Sequence, residues 1–480
     1  MRWGWCTMRP DTVPEFAIVG HPNEGKSSVL STLAEDDSVR ISATPGETVV
    51  CQEFPVIIDG REIIRFVDTP GFQNPKKILH QLQNLRDATD NIIGAFRERN
   101  VSNPEFREDC ELLRPITGGA GIIYVVDGSR PVRSVDRAEM EILRLTGLPR
   151  MAVLNSKDAR TDFLEQWKDE FRKCFNVFRV FNAHTANYAQ RIELLQSLKN
   201  IDPDWQATFD TVISAFKEDW AQRNLASAAI ITEMLRECLA YKIVRNFSDP
   251  GKEKSMQADM REAYEKNIRK IESRAHHKIR SLFKHNIFNY DLPPNSILHE
   301  DLFSESTWEF LGLSRNQQIV AMGIGGAGVA AAIDAATVGT SFGMFAAIGG
   351  LVGATWAALG GKGLAQTRIL GIPLGGREIQ TGPVKNIQFL YILLDRSLIY
   401  YSHISNWAHG RRDYDAGTVE HVRNGYAAQW KSSVRSDCNA FFKEATKSNG
   451  SNNQDAEQQM KKFLIEQLQK ISHSEHVKMM

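Results

Sequence analysis

The chain carries no excess of charge of either sign: 58 Lys and Arg stand against 58 Asp and Glu in 480 residues. Such a balance leaves no basic surface to expect, so nucleic acid is not an expected partner. Cysteine is sparse. Its six copies, at Cys6, Cys51, Cys110, Cys174, Cys238 and Cys438, form no C-x-x-C pair and no cluster with histidine. That excludes the usual zinc modules and a disulfide framework, and suits a reducing cytoplasm. The opening Met1-Arg2-Trp3-Gly4-Trp5 lacks a continuous apolar stretch, so no signal peptide is expected. Long uncharged runs are also missing, with one exception in the second half, taken up below.

What is present is a phosphate loop. Gly20-His21-Pro22-Asn23-Glu24-Gly25-Lys26-Ser27 satisfies G-x-x-x-x-G-K-[ST] at every fixed position. The apolar run Phe16-Ala17-Ile18-Val19 before it reads as a buried strand, and Ser28 to Ala34 after it as the start of a helix. Strand, loop and helix are the context the motif needs. Glycines let the backbone curl so that successive N–H groups aim at phosphate oxygens, and the helix N-terminus adds favourable partial charge. Lys26 is the candidate for the outer phosphates and Ser27 for Mg²⁺. Asn23, Glu24, Gly25 and Ser28 complete the expected nucleotide-binding set of the loop.

Further segments follow in order. Thr44-Pro45-Gly46-Glu47-Thr48 is a candidate switch, in which a threonine hydroxyl closes on Mg²⁺. Thr48 is preferred over Thr44 because it follows a Pro-Gly turn. The strand Ile63–Val67 ends in Asp68-Thr69-Pro70-Gly71: an acid at the end of an apolar strand, placed to bind Mg²⁺, and a glycine whose N–H reaches the outermost phosphate. Strands at Ile122–Asp127, Met151–Leu154 and Val177–Phe181 come next. After the second, Asn155-Ser156-Lys157-Asp158 offers a base reader. The Asp158 carboxylate accepts guanine's N1–H and N2 amine, a donor pair that adenine lacks, and Lys157 also falls in this segment. After the third, Asn182-Ala183-His184 offers the Ala183 backbone N–H to the guanine carbonyl. Pro75 to Arg97 reads as one long helix, with apolar Ile78, Leu82, Leu85, Ile92, Ile93 and Phe96.

This ordered set resembles the Era, Der and TrmE class of bacterial P-loop GTPases, over about 190 residues. The resemblance implies an α/β doubly wound parallel sheet with GTP at the carboxyl ends of its strands. It implies catalytic roles for Lys26, Thr48 and Gly71, and Mg²⁺ ligation by Ser27, Thr48 and Asp68. It also implies a K⁺ site at Asn23, because some members hold K⁺ through the loop asparagine. Two features depart from the wider pattern. Phe72 stands where Ras-like enzymes carry a water-orienting glutamine, and Ser156 stands where the family's N-K-x-D carries a lysine whose stem covers the guanine. Slow intrinsic hydrolysis, raised by K⁺ and by self-association or a partner, is the corresponding expectation.

The domain expectation is a GTPase domain over 12–200, a helical region over 205–318, a Gly/Ala-rich hairpin over 319–363 and an α(+β) region with a polar tail over 364–480. Trp205 to Phe247 reads as one helix or two, and Glu253 to Lys284 as a charged helix on whose solvated face His276 and His277 fall. Short apolar runs with turn residues from Ile369 to Ile379 read as a small β element, and Leu390 to Trp407 as a buried strand entering a helix. The whole C-terminal half is therefore expected to be mainly α-helical.

Between Arg315 and Lys362 the only charge is Asp334, and Gly339/Gly343 and Gly349/Gly353 are G-x-x-x-G pairs. Residues 335–361 are long enough to cross a bilayer as a helix, but Ala/Gly-rich arms insert weakly. Two readings stand: a hairpin associating with the inner membrane, or small-residue helices buried in a soluble domain. This layout, with Leu393-Leu394-Asp395-Arg396 beyond it, is similar to a bacterial family of Era-like GTPases with an uncharacterised C-terminal domain. The expected function is a GTP-binding protein that hydrolyses GTP to GDP and phosphate and switches a C-terminal effector region. The alternatives are a soluble ribosome- or RNA-assembly GTPase, and a scaffold with a structural GTP site.

Overall fold

The computed structural model describes residues 13–34, 48–58, 60–86, 89–155, 162–182, 188–247, 253–283, 296–313, 317, 368–369, 372–373, 377–405, 425–447 and 454–473. Two compact units divide the chain. One contains the chain up to Trp220; the other runs from Ala221 through Ser405 and takes in later residues to Ile471.

The first unit is an α/β doubly wound domain. Its strands are β1 (Glu15–Val19), β2 (Gln52–Ile58), β3 (Arg61–Asp68), β4 (Gly121–Asp127), β5 (Arg150–Asn155) and β6 (Val177–Phe181), in the spatial order β2-β3-β1-β4-β5-β6. Only the β2–β3 pairing is antiparallel; the others are parallel. The central strands are apolar on both faces and almost wholly buried, as parallel strands covered by helices must be. Pairing of Ile18 with Asp68 and of Asp127 with Asn155 brings the strand ends carrying the motifs to one edge of the sheet. The order of strands switches direction beside β1, the place where such sheets bind ligands.

Helices α1 (Lys26–Ala34), α2 (Pro75–Leu85), α3 (Ile92–Asn100), α4 (Arg107–Thr117), α5 (Ser134–Leu145), α6 (Leu164–Cys174) and α7 (Tyr188–Lys199) flank the sheet. The single helix expected over Pro75–Arg97 is two. Residues 89–91 supply the start of the second: Asn91 accepts a hydrogen bond from Gly94 N at 3.0 Å, and the Thr89 hydroxyl accepts one from Asn91 N at 3.2 Å. Side chains that bond to nearby backbone compete with helix continuation and begin a new helix instead.

At the other end of the unit a short turn at Pro203–Trp205, capped by Asp202, leads into α8 (Gln206–Ala240), within which the division between the units falls. Trp205 and Phe209 lie edge-on to Phe16 of β1, with ring centroids 4.7 and 5.4 Å away. Gly121 leaves the space for Trp205: a Cβ there would lie 2.6 Å from the indole.

In the second unit α8 ends at Ala240 and the chain turns into a strand, β7 (Ile243–Phe247), so the expected helix does not reach Phe247. Its partner is β10 (Arg377–Thr381), antiparallel and distant in sequence; a separate short pair joins β8 (Arg368–Ile369) to β9 (Ile372–Pro373). The rest of the described unit is helical: α9 (Glu253–Leu282), α10 (Glu305–Phe310), α11 (Gln388–Ser405), α12 (Ser432–Ala445) and most of α13 (Gln454–His473).

The stretch Leu390–Trp407, read as a strand entering a helix, is helix α11 as far as Ser405. It is buried on every side, so its apolar residues show no period that distinguishes helix from strand. Asp395 and Arg396 are buried within it. Asp395 accepts hydrogen bonds from Gly312 N at 2.6 Å and Ala427 N at 2.8 Å. Arg396 forks onto Glu272 of α9 and donates to the Glu300 carbonyl at 3.0 Å. His276 does not lie on a solvated face. Its ring stacks on Tyr400 at 3.9 Å, and its Nε2 is buried without a hydrogen-bond partner. His277 is exposed.

Among the described residues no helix is long and apolar enough to cross a membrane. Residues 319–363, on which the hairpin expectation rests, lie outside the described residues, as does Thr44.

Candidate functional site

The site is built from the ends of β1 and β3. Gly25 sits at φ +92°, a left-handed conformation that favours glycine, and a Cβ there would meet the Asn155 Nδ2 at 2.1 Å. That amide nitrogen donates to the Glu24 carbonyl at 3.1 Å, so Asn155, at the end of β5, supports the loop. Asn23 is also left-handed, at φ +67°. Lys26 folds back over the loop and donates to the His21 carbonyl at 3.1 Å. Burial lowers its ammonium pKa, while the Asp68, Glu139 and Glu24 carboxylates pull it back.

The D-T-P-G segment is fastened to this loop. Thr69 Oγ1 donates to the Ile18 carbonyl at 2.8 Å, and Phe72 N donates to the Gly20 carbonyl at 3.2 Å. Gly71 lies so close to Pro22 that a Cβ would come within 2.6 Å of the Pro22 nitrogen and ring. The Phe72 ring is fully buried in the core, so the residue following D-T-P-G takes no part in orienting water.

Three oxygen-bearing side chains converge. Ser27 Oγ donates to Asp68 Oδ2 at 2.8 Å, and Thr48 Oγ1 approaches the same oxygen at 3.4 Å. Asp68 Oδ1 is buried with no hydrogen-bond partner. Burial raises the Asp68 pKa, against the pull of Lys26 and the hydrogen bonds from Ser27, Thr48 and Thr69. An orphaned carboxylate oxygen beside two hydroxyls is an all-oxygen set that suits a hard divalent cation, so these residues fit Mg²⁺.

Several residues hold the loop without any motif announcing them. Glu139 of α5, fully buried, bonds His21 Nδ1 at 2.9 Å and accepts from the Tyr124 hydroxyl at 2.9 Å. Burial raises its pKa, opposed by those two partners. Glu24 is paired with Arg130, and Asp109 of α4 accepts from Gln73 N at 2.8 Å. The available signal was chemical: an acid in the apolar register of a helix, or inside a phosphate loop, needs a partner. Ser28 is buried at the start of α1. Lys157, Asp158 and Ala183 lie outside the described residues.

Residues 15–156 match the family described as "50S ribosome-binding GTPase", and residues 169–470 match "Domain of unknown function (DUF3482)". A probable GTP-binding protein EngB of Pelotomaculum thermopropionicum is 29% identical over 147 residues, which are 30% of this chain and 62% of that protein. GTPase Der of Bifidobacterium longum is 28% identical over 191 residues, 38% of this chain and 36% of that one. The chain thus spans less than two thirds of either relative. Among solved structures, an Era variant from Aquifex aeolicus bound to GDP·AlF4⁻ is similar at 18% identity and a TM-score of 0.27, over 49% of this chain and 72% of that one. With residues 15–156 matching a GTPase family and 169–470, more than half of the chain, matching the domain of unknown function, the chain belongs to the family defined by that C-terminal domain, DUF3482.

Proposed function

We propose that the chain binds GTP with Mg²⁺ at residues 20–27, hydrolyses it to GDP and phosphate, and uses the nucleotide state to switch the region that follows. The observation that carries this reading is the convergence of Ser27, Thr48 and the half-satisfied Asp68 beside a phosphate loop. Mg²⁺ held by these three residues would offset charge on the outer phosphates. Lys26 adds a positive charge at the loop, and this reading assigns the outermost phosphate to the Gly71 backbone N–H, a role supported by the closeness of Gly71 to Pro22 of the loop. Asn155, Lys157, Asp158 and Ala183 are the proposed base-reading group.

The same reading assigns K⁺ to Asn23. The buried Phe72 supplies no water-orienting group, so a cation at the loop is the natural substitute for charge stabilisation. It places the protein in the cytoplasm, with self-association or a membrane contact through 319–363 as routes of control.

The test is equilibrium binding of fluorescent GDP with ATP as competitor, followed by hydrolysis in K⁺ and in Na⁺. Guanine-selective binding with turnover lost in Lys26→Ala supports the reading; undiminished turnover in that variant refutes the site. Equal rates in K⁺ and Na⁺ remove the K⁺ assignment. Nucleotide-dependent flotation with liposomes, abolished by deleting 319–363, is expected of a membrane switch; no flotation in either nucleotide state removes that role. A second reading, a scaffold that holds GTP without turning it over, is favoured by Phe72 and by Ser156 in place of the family lysine. Binding without hydrolysis would select it.

A further inference from the structure

Glu24 is a carboxylate inside a loop whose task is to attract anions. It is 4% exposed and immediately precedes the Gly25-Lys26-Ser27 backbone. Left alone, a buried negative charge there would repel a polyphosphate through a low-dielectric path. It is not alone. Arg130, just beyond β4, donates to Glu24 Oε1 at 2.6 Å, and the Asp127 backbone N–H takes the other carboxylate oxygen.

The guanidinium is itself held in place. It forks onto Asp136 of α5 at 2.7 and 2.9 Å, and its carbon lies 5.3 Å from the centre of the Trp167 ring. The Trp167 indole N–H donates to the Arg130 carbonyl at 2.8 Å. Arg133 also faces Glu24, but at 3.7 Å and with its side chain 43% exposed, where solvent screens it.

We propose that Arg130 is a positioning residue for nucleotide binding: it neutralises Glu24 and keeps the phosphate loop receptive to a di- or triphosphate. The inference rests on the reading of residues 20–27 as a guanine-nucleotide site, and it makes a demand that a merely structural arginine would not. Its loss must be felt in proportion to the phosphates on the ligand, and must be relieved by removing the Glu24 charge.

The experiment uses the full chain, with GDP and GMP affinities measured by competition against fluorescent GDP. Arg130→Met should weaken GDP at least tenfold and GMP less than threefold. Adding Glu24→Gln to Arg130→Met should recover most of the lost GDP affinity. Equal losses for GDP and GMP, no loss at all, or no relief by Glu24→Gln would overturn the proposal. Should Arg130→Met not fold, the double variant is compared with Glu24→Gln alone. A further drop below threefold is expected, and a tenfold drop would show that Arg130 does not act through Glu24. Absence of GDP binding in the unaltered protein would instead overturn the nucleotide reading itself.

Discussion

Arg396 and Glu272, 124 positions apart in the chain, meet through two hydrogen bonds of 2.5 and 3.2 Å. Their side chains are only 6% and 8% exposed. The pair joins α11 to α9 inside the second unit. Breaking such a pair on one side strands a buried charge, whereas replacing both sides with apolar groups is often neutral. Arg396→Met is therefore expected to destabilise the unit by about 3–5 kcal/mol in urea unfolding, and Arg396→Met with Glu272→Met to recover most of that. A double variant as unstable as the single one would show that the arginine's bond to the Glu300 carbonyl matters more than the charge pair.

Gly71 leaves no room for a side chain. Any Cβ there meets backbone as well as the ring of Pro22, and neither yields easily. Gly71→Ala should reduce the preference for a GTP analogue over GDP by on the order of tenfold, because the donor that would read the outermost phosphate is displaced. Titration of both nucleotides against the variant measures it. An unchanged ratio would mean that Gly71 does not sense that phosphate.

Removal of Mg²⁺ should free the nucleotide. With EDTA, GDP release should quicken by on the order of tenfold, since the phosphate charge loses its counter-ion. In Asp68→Asn the difference between Mg²⁺ and EDTA should largely vanish. Stopped-flow release of fluorescent GDP reads both; a full Mg²⁺ effect in Asp68→Asn would place the ion elsewhere.

His276 makes the second unit sensitive to acid. Burial lowers its pKa from 6.5 to about 4, with Arg396 adding to the shift and Glu272 opposing it. A depressed pKa means the folded state binds fewer protons than the unfolded one. Stability is thus complete above pH 6.5 and falls as pH drops towards 4, by about 3 kcal/mol in all. Denaturant midpoints between pH 7 and 4 should show this slope, and His276→Phe, which preserves stacking on Tyr400, should flatten it. An equal slope in the variant would assign the acid response to other groups.

Much of the candidate site's geometry is legible in the sequence because its logic is local. Lys26 and Ser27 are fixed by spacing within eight residues, and Asp68 by its place at the end of an apolar strand. What could not be read depends on long-range pairing. Nothing near His21 indicates that Glu139 holds it, and nothing near Ile243 indicates that its partner strand begins at Arg377. Helix α11 was misread for the opposite reason: burial on all sides erases the period that reveals a helix. His276 looked solvated because its neighbours in sequence are charged, while Tyr400, which covers it, comes from another helix.

The fastening of the D-T-P-G segment limits how it can move. Thr69 is tied to the strand beside it, and Phe72 is tied to Gly20 and sunk in the core. Just beyond, Asp109 grips the backbone of Gln73 and Asn74 where α2 begins. Pro70 and Gly71 are thus a two-residue span between anchored posts. A span that short has no slack for gradual drift. Under the proposed nucleotide switch, loss of a phosphate would either be absorbed within those two residues, leaving α2 still, or unseat the Phe72 ring and move α2 with it, so the response expected of this segment is a step and not a slope.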